Sequence, residues 1–490
     1  MSDSVPAQGF TLGIDLGTSA IKVVALDLDD EVIGEGSSDF CTIIAQPQQA
    51  EQRPGDWLDA ASAAMRGLAV ELNGRRGVDW IEQVGAIGLT GQLPTLVCLD
   101  DRRPLAPAIT WKDGRADAWA AARVDSGRRA LMYARTGMPI DGRYLAPMLQ
   151  YHFAETLADV RTILSAKDYL LFELTGLHVT EPSTAAGYGI YDLLEQRFSE
   201  ELALFWNVPP GVLPRIQGAN TLAGPLSESG ARILGLPPGI PVSTGAADSV
   251  CASFAMAGLD ESVVAISFGS SAVVIGACAA PRLDPKARYL VTPHAESAWF
   301  GREMDLLATG TGYRWLSELF SWADGDIDRF AAQSVPGAHG LTFAPYLAGG
   351  EQGALWNPRL RGALAGLTLR HSRNDVARSF LEGVFFEIKR CIDVLAETTP
   401  IRSVMISGNI VHSQTSTTLL ADILQRPVGA VPAKSPAAIG AAMLARRIMG
   451  VTDNANRHER TAPVTKPNPV VAETYAGLYR QYLSRAALCE

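Results

Sequence analysis

The chain has 490 residues, of which 47% are hydrophobic and 19% charged. This ordinary globular composition excludes intrinsic disorder as the main state, and the length predicts about two to four average domains, or two large ones. The 42 basic and 52 acidic residues give a formal net charge of −10. Nucleic acid and anionic membranes are therefore excluded as partners, because both need a basic protein surface. A small anionic ligand stays compatible, because backbone amides and a metal ion can neutralise it locally.

The compartment and the redox state follow from the N-terminus and the cysteines. The first ten residues lack a basic segment leading into an apolar run, so no signal peptide is expected. The six cysteines are scattered, with no C-x-x-C pair, which favours a reduced, cytoplasmic protein. One uncharged run, 262–280, approaches the length of a membrane span, but a Gly-Ser-Ser turn interrupts it. We therefore predict two buried strands around that turn.

Two β-hairpins are the first distinctive elements in chain order. The segment IDLGTSAIKVVALD at 14–27 predicts an apolar strand, a Gly-Thr-Ser turn and a second strand, and ISFGSSAVVIGA at 266–277 repeats this pattern in the same register. The corresponding glycines, Gly17 and Gly269, lie about half the chain apart. This spacing suggests a duplicated architecture, with coincidence as the alternative because the match is short.

Helices are clearest in the second half. A capping box at Ser372 and Asp375 followed by periodic apolar residues predicts a helix over 372–397. Ser435-Pro436 predicts the start of an Ala- and Gly-rich helix. Its small residues allow a backbone or a ligand to approach closely, and an ordinary tightly packed helix is the alternative.

The last part of the chain continues this alternation. A polar segment at 452–469 predicts a surface connection, and an amphipathic helix is expected around 472–488. Strands that alternate with helices in both halves predict α/β layers.

The first turn has the residue types of a phosphate site. A glycine allows a tight turn in which the consecutive amides of Gly17-Thr18-Ser19 point into one concavity, and such a nest binds phosphate oxygens. Asp15 is a candidate ligand for hydrated Mg²⁺, and Lys22 is close enough in sequence to reach the same phosphates. A plain hairpin turn is the alternative for this motif alone. Two such turns favour a clamp on the β- and γ-phosphates, although neither is a Walker A sequence.

Asp248 is the candidate general base. A strand is predicted at 240–243 and a helix at 250–257, so Asp248 lies at a strand-to-helix junction, where sites in α/β folds collect. A carboxylate there can accept a proton from an attacking hydroxyl. The alternative is that Asp248 only caps the helix.

Nine segments in order resemble the FGGY family of carbohydrate kinases, and among its members the xylulokinases in particular. The segments are IDLGTSAIKVV, IGLTGQLPTLVCLD, PAITWKDGR, SAKDYLLFELTG, TEPSTAAGYGIYDL, TGAADSVCASFAMAG, PYLAGG, RGALAGLTLRHSRNDVARSFLEG and the run from ADILQRPV to AAIGAAML. The resemblance implies an α/β fold of the two-domain actin-like and Hsp70-like (ribonuclease H-like) type with a cleft between the domains. The implied domains are 1–245 on the sugar side and 246–490 on the adenosine side.

The resemblance also implies roles for particular residues. The matching positions are Asp248 as catalytic base; Asp15, Gly17, Thr18 and Ser19 in the first phosphate motif; Gly269, Ser270 and Ser271 in the second; and Gly310, Thr311 and Gly408 in the segments that line the adenosine pocket. Asn409, next to Gly408, is a further candidate contact of the adenosine. The sugar side is represented by Gln92, Leu93, Pro94, Trp111, Asp113 and Asp248.

Several positions depart from the family pattern. Gln92-Leu93-Pro94-Thr95 stands where xylulokinases usually have Gln-Met-His-Gly, and the side chain of Pro94 can neither donate nor accept a hydrogen bond. Ser249 replaces a common Asn, Gln352 replaces an Arg, and Asn409-Ile410 replaces two glycines of the adenosine segment. The phosphate motifs are intact, whereas the sugar pocket is altered and the adenosine pocket is expected to be crowded by side chains.

The segment Trp111 to Arg115 allows two interpretations. Asp113 is a candidate acceptor for sugar hydroxyls, and Arg115 would bind the carboxylate of a sugar acid. The alternative is that an Asp-Arg pair fixes the loop, with Trp111 in the core.

The resulting hypothesis is an ATP-dependent sugar kinase that uses Mg²⁺ and converts D-xylulose to D-xylulose 5-phosphate. The alternatives are an FGGY kinase for gluconate, ribulose or a polyol, and a catalytically weak sugar sensor on the same fold. An Hsp70-like or actin-like ATPase is a third class. Small sugars and ATP are the expected partners, and the resemblance implies a possible homodimer.

Overall fold

The computed structural model describes residues 9–76, 78–451, 462–487 and 489. The strands in chain order are β1 (Phe10–Leu16), β2 (Ala20–Asp27), β3 (Val32–Asp39), β4 (Glu51–Gln52), β5 (Val84–Gly91), β6 (Thr95–Leu99), β7 (Ala108–Thr110), β8 (Thr162–Leu164), β9 (Val179–Thr180), β10 (Tyr191–Asp192), β11 (Arg197–Phe198), β12 (Arg215–Ile216), β13 (Leu222–Pro225), β14 (Pro241–Ser243), β15 (Ala246–Ala247), β16 (Val263–Phe268), β17 (Ala272–Cys278), β18 (Leu290–Pro293), β19 (Phe300–Leu306), β20 (Thr342–Ala344), β21 (Ala363–Ala365), β22 (Ser403–Ser407), β23 (Val428–Ala430) and β24 (Val464–Thr465).

The α-helices are α1 (Pro54–Arg76), α2 (Asp117–Ala121), α3 (Ser126–Thr136), α4 (Leu145–His152), α5 (Ala166–Thr175), α6 (Pro182–Ala186), α7 (Glu200–Phe205), α8 (Glu228–Leu234), α9 (Asp248–Ala257), α10 (Gly310–Phe320), α11 (Asp326–Ala331), α12 (Arg373–Ala396), α13 (Gln414–Leu424), α14 (Pro436–Ile448) and α15 (Ala472–Ala486).

Two large mixed sheets share one strand arrangement. In the first, β1 pairs antiparallel with β2, β2 antiparallel with β3, and β1 is parallel to β5, which is parallel to β14. In the second, β16 pairs antiparallel with β17, β17 antiparallel with β19, and β16 is parallel to β22, which is parallel to β23. The duplication predicted from the two hairpins is therefore confirmed. It extends from the turns to whole sheets.

Helices α9 and α14 lie between these sheets and join them. Helix α14 packs on β1 and β5 of the first sheet, although it comes from the second half of the sequence, and α9 packs on β16. The apolar cluster around them combines residues of both hairpins, including Val24, Leu26, Val263 and Ile275. The first sheet also extends past the predicted boundary at 245, because β15 pairs with β5.

The strand glycines explain how closely α14 approaches the first sheet. A Cβ atom on Gly13 would lie 1.8 Å from the carbonyl oxygen of Ala438, and a Cβ on Gly88 would lie 1.8 Å from that of Ala441. No side chain fits there, because real atoms do not approach so closely. The small residues of α14 thus serve the approach of one backbone to another.

The other predicted elements are found where the sequence placed them. Helix α12 has the capping box of Ser372 and Asp375, Ser435 caps α14, and α15 is the final helix. The uncharged run forms β16 and β17 around the Gly269 turn. Most of the predicted polar connection, 452–461, lies outside the described residues. Among the described residues, no helix is long and apolar enough to cross a membrane.

Candidate active site

A cavity of about 470 Å³ lies between the two halves. Most of the residues singled out from the sequence line it. Those that do are Asp15, Gly17, Thr18, Ser19, Lys22, Leu93, Pro94, Trp111, Asp248, Gly269, Ser270, Ser271 and Gly408. Gln92, Asp113, Gly310, Thr311 and Asn409 are not among the lining residues, and their positions are described below.

The first turn closes tightly at one wall of the cavity. The backbone N–H of Gly17 donates to the carbonyl of Ala20 at 3.1 Å. The indole N–H of Trp111 donates to Thr18 Oγ1 at 3.4 Å. Asp15 and Lys22 are paired opposite each other in the β1–β2 ladder, so the glycine turn, a carboxylate and an ammonium occupy one region of the cavity.

The second turn is supported from behind by the start of α10. The N–H of Gly269 donates to the carbonyl of Ser271 at 2.8 Å, and the N–H of Gly310 donates to the carbonyl of Gly269 at 3.2 Å. Thr311 donates to the carbonyl of Ser270 from both its backbone N–H and its hydroxyl, each at 3.0 Å. Gly310 and Thr311 therefore fix the turn in this structure instead of lining the cavity.

Gly408 is held at the cavity edge by a backbone conformation that favours glycine. Its φ is +94°, and a Cβ there would lie 1.9 Å from the carbonyl oxygen of Phe268. Asn409 follows in a short 3₁₀ helix, 409–412, outside the lining. A side chain at Gly408 would push against β16, the strand that leads into the Gly269 turn.

Asp248 is the first residue of α9, and Ala247 occupies the N-cap position without a side-chain bond. Asp248 therefore lies inside the helix and is not its cap. Its Oδ1 accepts from the N–H of Ser249 at 2.8 Å. Burial is the main cause that raises the pKa of Asp248 to about 7, and the charges of Asp15 and Asp305 add to it. A carboxylate with this pKa suits a general base at neutral pH.

Asp15 has the features of a carboxylate that binds a cation. Its Oδ2 accepts from the hydroxyl of Ser435 at 3.1 Å, whereas its Oδ1 is buried without a hydrogen-bond partner. Burial raises the pKa of Asp15, and Lys22 and Ser435 offset part of the rise. Within the described ranges, no group of three His, Cys, Asp or Glu side chains could hold a metal. One carboxylate plus substrate phosphates is a common way to hold Mg²⁺, and Asp15 fits it.

Gln92 and Asp113 hold loops of the first half in place. The side-chain amide of Gln92 is buried and donates to Gln52 Oε1 at 2.8 Å. The Asp113 carboxylate accepts from the N–H of Ala50 at 2.9 Å and from the guanidinium of Arg115, and Asp113 is only 1% exposed. The structure therefore favours the loop-fixing alternative for Asp113 and Arg115. For Trp111 it differs from that alternative, because this side chain lines the cavity and is not in the core.

The cavity is also lined by charged residues that the sequence analysis did not identify as candidates. Asp141 and Arg143 line it from the first half, and Glu303 and Asp305 line it from β19. Burial raises the pKa of Asp305 to about 6. A signal existed for the pair on β19, because residues two apart on a strand share a face. Two carboxylates on one face of a largely buried strand indicate a polar site.

Comparison with known proteins identifies the family of the chain. The model of the FGGY family of carbohydrate kinases, N-terminal domain, matches residues 10–255, and that of its C-terminal domain matches residues 264–449. The chain belongs to the FGGY family of carbohydrate kinases. It is thus an ATP-dependent sugar kinase, and its predicted two-domain fold class is confirmed.

Relatives of this FGGY kinase act on different sugars. The chain is 27% identical to a xylulose kinase of Lactococcus lactis, over 96% of this chain and 95% of the relative. It is 24% identical to a gluconokinase of Bacillus licheniformis, over 91% of this chain and 88% of the relative. Two solved structures from Lactobacillus acidophilus, a gluconate kinase and a ligand-bound xylulose kinase, each superpose with a TM-score of 0.90 at 25% identity. The superposition covers 99% of both chains for the gluconate kinase and 98% of both chains for the xylulose kinase.

Proposed function

We propose that this FGGY kinase transfers the γ-phosphate of ATP to a hydroxyl of D-xylulose and forms D-xylulose 5-phosphate. The observation that carries the proposal is the position of Asp248, whose pKa is about 7, in one cavity with both glycine turns. The xylulose kinases among the relatives support this acceptor.

In the proposed reaction Asp248 is the base. It accepts the proton of the acceptor hydroxyl while that oxygen attacks the γ-phosphorus and the bond to the β-phosphate oxygen breaks, which leaves ADP. The amides of the Gly17 and Gly269 turns and the Lys22 ammonium offset the charge on the phosphates. Mg²⁺, when bound near Asp15, supplies further neutralisation of that charge.

Exclusion of water matters as much as the base. Water competes with the sugar as acceptor and would convert the kinase into an ATPase. The apolar side chains of Leu93, Pro94 and Trp111 on the sugar side of the cavity favour this exclusion.

Gluconate, ribulose or a polyol is the second candidate acceptor. Pro94, Ser249 and Gln352 line the cavity at positions where the xylulokinase pattern has other residues. The gluconate kinase structure superposes with the same TM-score as the xylulose kinase structure. A catalytically weak sugar sensor is less well supported, because the phosphate turns and Asp248 are all present.

A coupled ADP-release screen over ketoses, polyols and aldonates tests the proposal. D-xylulose is expected to give the largest acceptor-dependent rate, and the Asp248→Asn variant serves as the control for background hydrolysis. If another compound gives acceptor-dependent ADP release and D-xylulose gives none, the proposed acceptor is wrong and that compound takes its place. Mg-ATP binding by calorimetry without any acceptor-dependent ADP release would favour the sensor.

A further inference from the structure

Arg143 and Gln352 meet across the cavity from opposite halves of the chain. Arg143 precedes α4, whereas Gln352 belongs to the loop between β20 and β21, and both line the cavity. With the carboxamide oriented by its hydrogen bonds, Gln352 Oε1 accepts from both terminal nitrogens of Arg143, at 3.0 Å from Nη1. This contact joins the two halves through side chains at the site itself.

The guanidinium is fixed on its own side by Asp141. Both carboxylate oxygens of Asp141 accept from Nε of Arg143, at 3.2 and 3.1 Å, and Oδ2 also accepts from Nη2. A bidentate carboxylate sets the plane of a guanidinium. Arg143 therefore presents its remaining edge in a defined direction, toward the opposite half.

Gln352 is fixed on the other side by its neighbour. The carboxylate of Glu351 accepts from the N–H of Gln352 at 2.8 Å and from the N–H of Leu307, just after β19, at 3.3 Å. The loop is also closed by two backbone bonds between Glu351 and Asn357, at 3.0 and 2.9 Å. Each partner of the contact is thus held in place by a carboxylate of its own half.

The contact continues a line along which the halves meet. The hydroxyl of Tyr133 donates to the carbonyl of Tyr289 at 2.9 Å, and the N–H of Val291 donates to the carbonyl of Gly137 at 2.9 Å. These bonds involve backbone carbonyls outside the reaction centre. The Arg143–Gln352 contact also joins the two halves, and it lies in the cavity that contains Asp248.

We propose that Arg143 and Gln352 form a clasp that holds the two halves closed around the acceptor, with Gln352 as the positioning residue for the Arg143 guanidinium. The proposal rests on the kinase function proposed above and concerns the acceptor end. The two phosphate turns have their own supports, so nucleotide binding does not depend on the clasp. A broken clasp raises the acceptor KM and admits water, which raises ATP hydrolysis relative to transfer.

Exchange of the two side chains gives a sharp test. The variants are Gln352→Ala, Gln352→Arg, Arg143→Gln and the double variant Arg143→Gln with Gln352→Arg. The readouts are the acceptor KM, the Mg-ATP Kd and the rate of ATP hydrolysis without acceptor. Arg75→Gln is the matched control, because Arg75 makes an ion pair with Glu71 on the surface of α1.

Gln352→Ala is expected to raise the acceptor KM about tenfold to a hundredfold, the effect of losing the charge-assisted contact with the guanidinium, with the Mg-ATP Kd unchanged. Gln352→Arg is expected to raise the acceptor KM further than Gln352→Ala does, because it brings two guanidinium groups together. The double variant restores an Arg–Gln pair and is expected to recover part of the loss.

Two results would overturn the clasp. One is a double variant whose acceptor KM rises by the combined factor of the two single variants. The other is a Mg-ATP Kd that changes by the same factor as the acceptor KM. The acceptor KM is measured with whichever compound the screen identifies, and the hydrolysis rate needs no acceptor. A wrong sugar assignment therefore leaves the clasp result intact, and a failed clasp leaves the sugar assignment intact.

Discussion

The hydroxyl of Ser435 donates to Asp15 Oδ2 at 3.1 Å, across 420 positions of sequence. The hydroxyl oxygen of Ser435 also accepts from the N–H of Ala438 at 3.3 Å and so caps α14. One side chain therefore stabilises a helix end and orients the carboxylate of the first phosphate hairpin. Because α14 packs on β1, the cap and the carboxylate belong to one rigid unit.

Ser435→Ala is expected to weaken both functions of this hydroxyl. The loss of the cap should lower the free energy of unfolding by about 1 kcal/mol, and the Mg-ATP KM should rise because Asp15 loses its orienting donor. Urea unfolding and steady-state kinetics measure the two effects. Ser435→Thr keeps the hydroxyl and is the control, and an Ala variant with unchanged Mg-ATP KM would argue against a role for Ser435 in orienting Asp15.

Asp248→Asn is expected to lower kcat by about a hundredfold or more, because asparagine cannot accept the hydroxyl proton. Mg-ATP binding should be largely intact, since the phosphate turns are unchanged. Rapid-mix kinetics and calorimetry separate the two properties. Turnover like that of the wild type in this variant would remove Asp248 as the base.

The pH dependence of kcat/KM for the acceptor should report Asp248. The base works only when ionised, so activity should rise as the pH rises through about 7 and level off above it. Asp305→Asn removes a negative charge that raises this pKa, so its acid limb should move to lower pH. An acid limb that stays in place in that variant would contradict the proposed coupling.

Gly13→Ala tests the approach of α14 to the first sheet. Its Cβ would meet the carbonyl oxygen of Ala438 at 1.8 Å, so we expect a loss of about 1–3 kcal/mol in the free energy of unfolding. Gly55→Ala is the matched control, because nothing lies within 4 Å of a Cβ at this helical position. That substitution should be neutral or slightly stabilising. Equal unfolding midpoints for the two variants would refute the close packing.

The local elements could be predicted because their signals are local. The two hairpins follow from apolar alternation interrupted by a glycine turn, and α12 and α14 follow from their caps at Ser372 and Ser435. Asp248 was placed at its strand-to-helix junction for the same reason. Such patterns depend on contacts within a few residues.

The roles of Asp113 and Thr311 could not be settled in this way. Both belong to motifs that match the family, yet the Asp113 carboxylate is taken up by Ala50 and Arg115, and Thr311 donates to Ser270. Whether a polar side chain faces a cavity or a neighbouring loop depends on which backbone groups lie within hydrogen-bond reach. That information is absent from the spacing of residues along the chain.

The duplicated hairpins, the glycine turns and the candidate base could be predicted before the fold was known, because each depends on short-range periodicity and residue type. The contacts of Ser435 with Asp15 and of Arg143 with Gln352 are visible only in the folded chain. These pairs join segments hundreds of residues apart. They exist because the strand glycines allow α14 onto the first sheet and because the two halves close over one cavity.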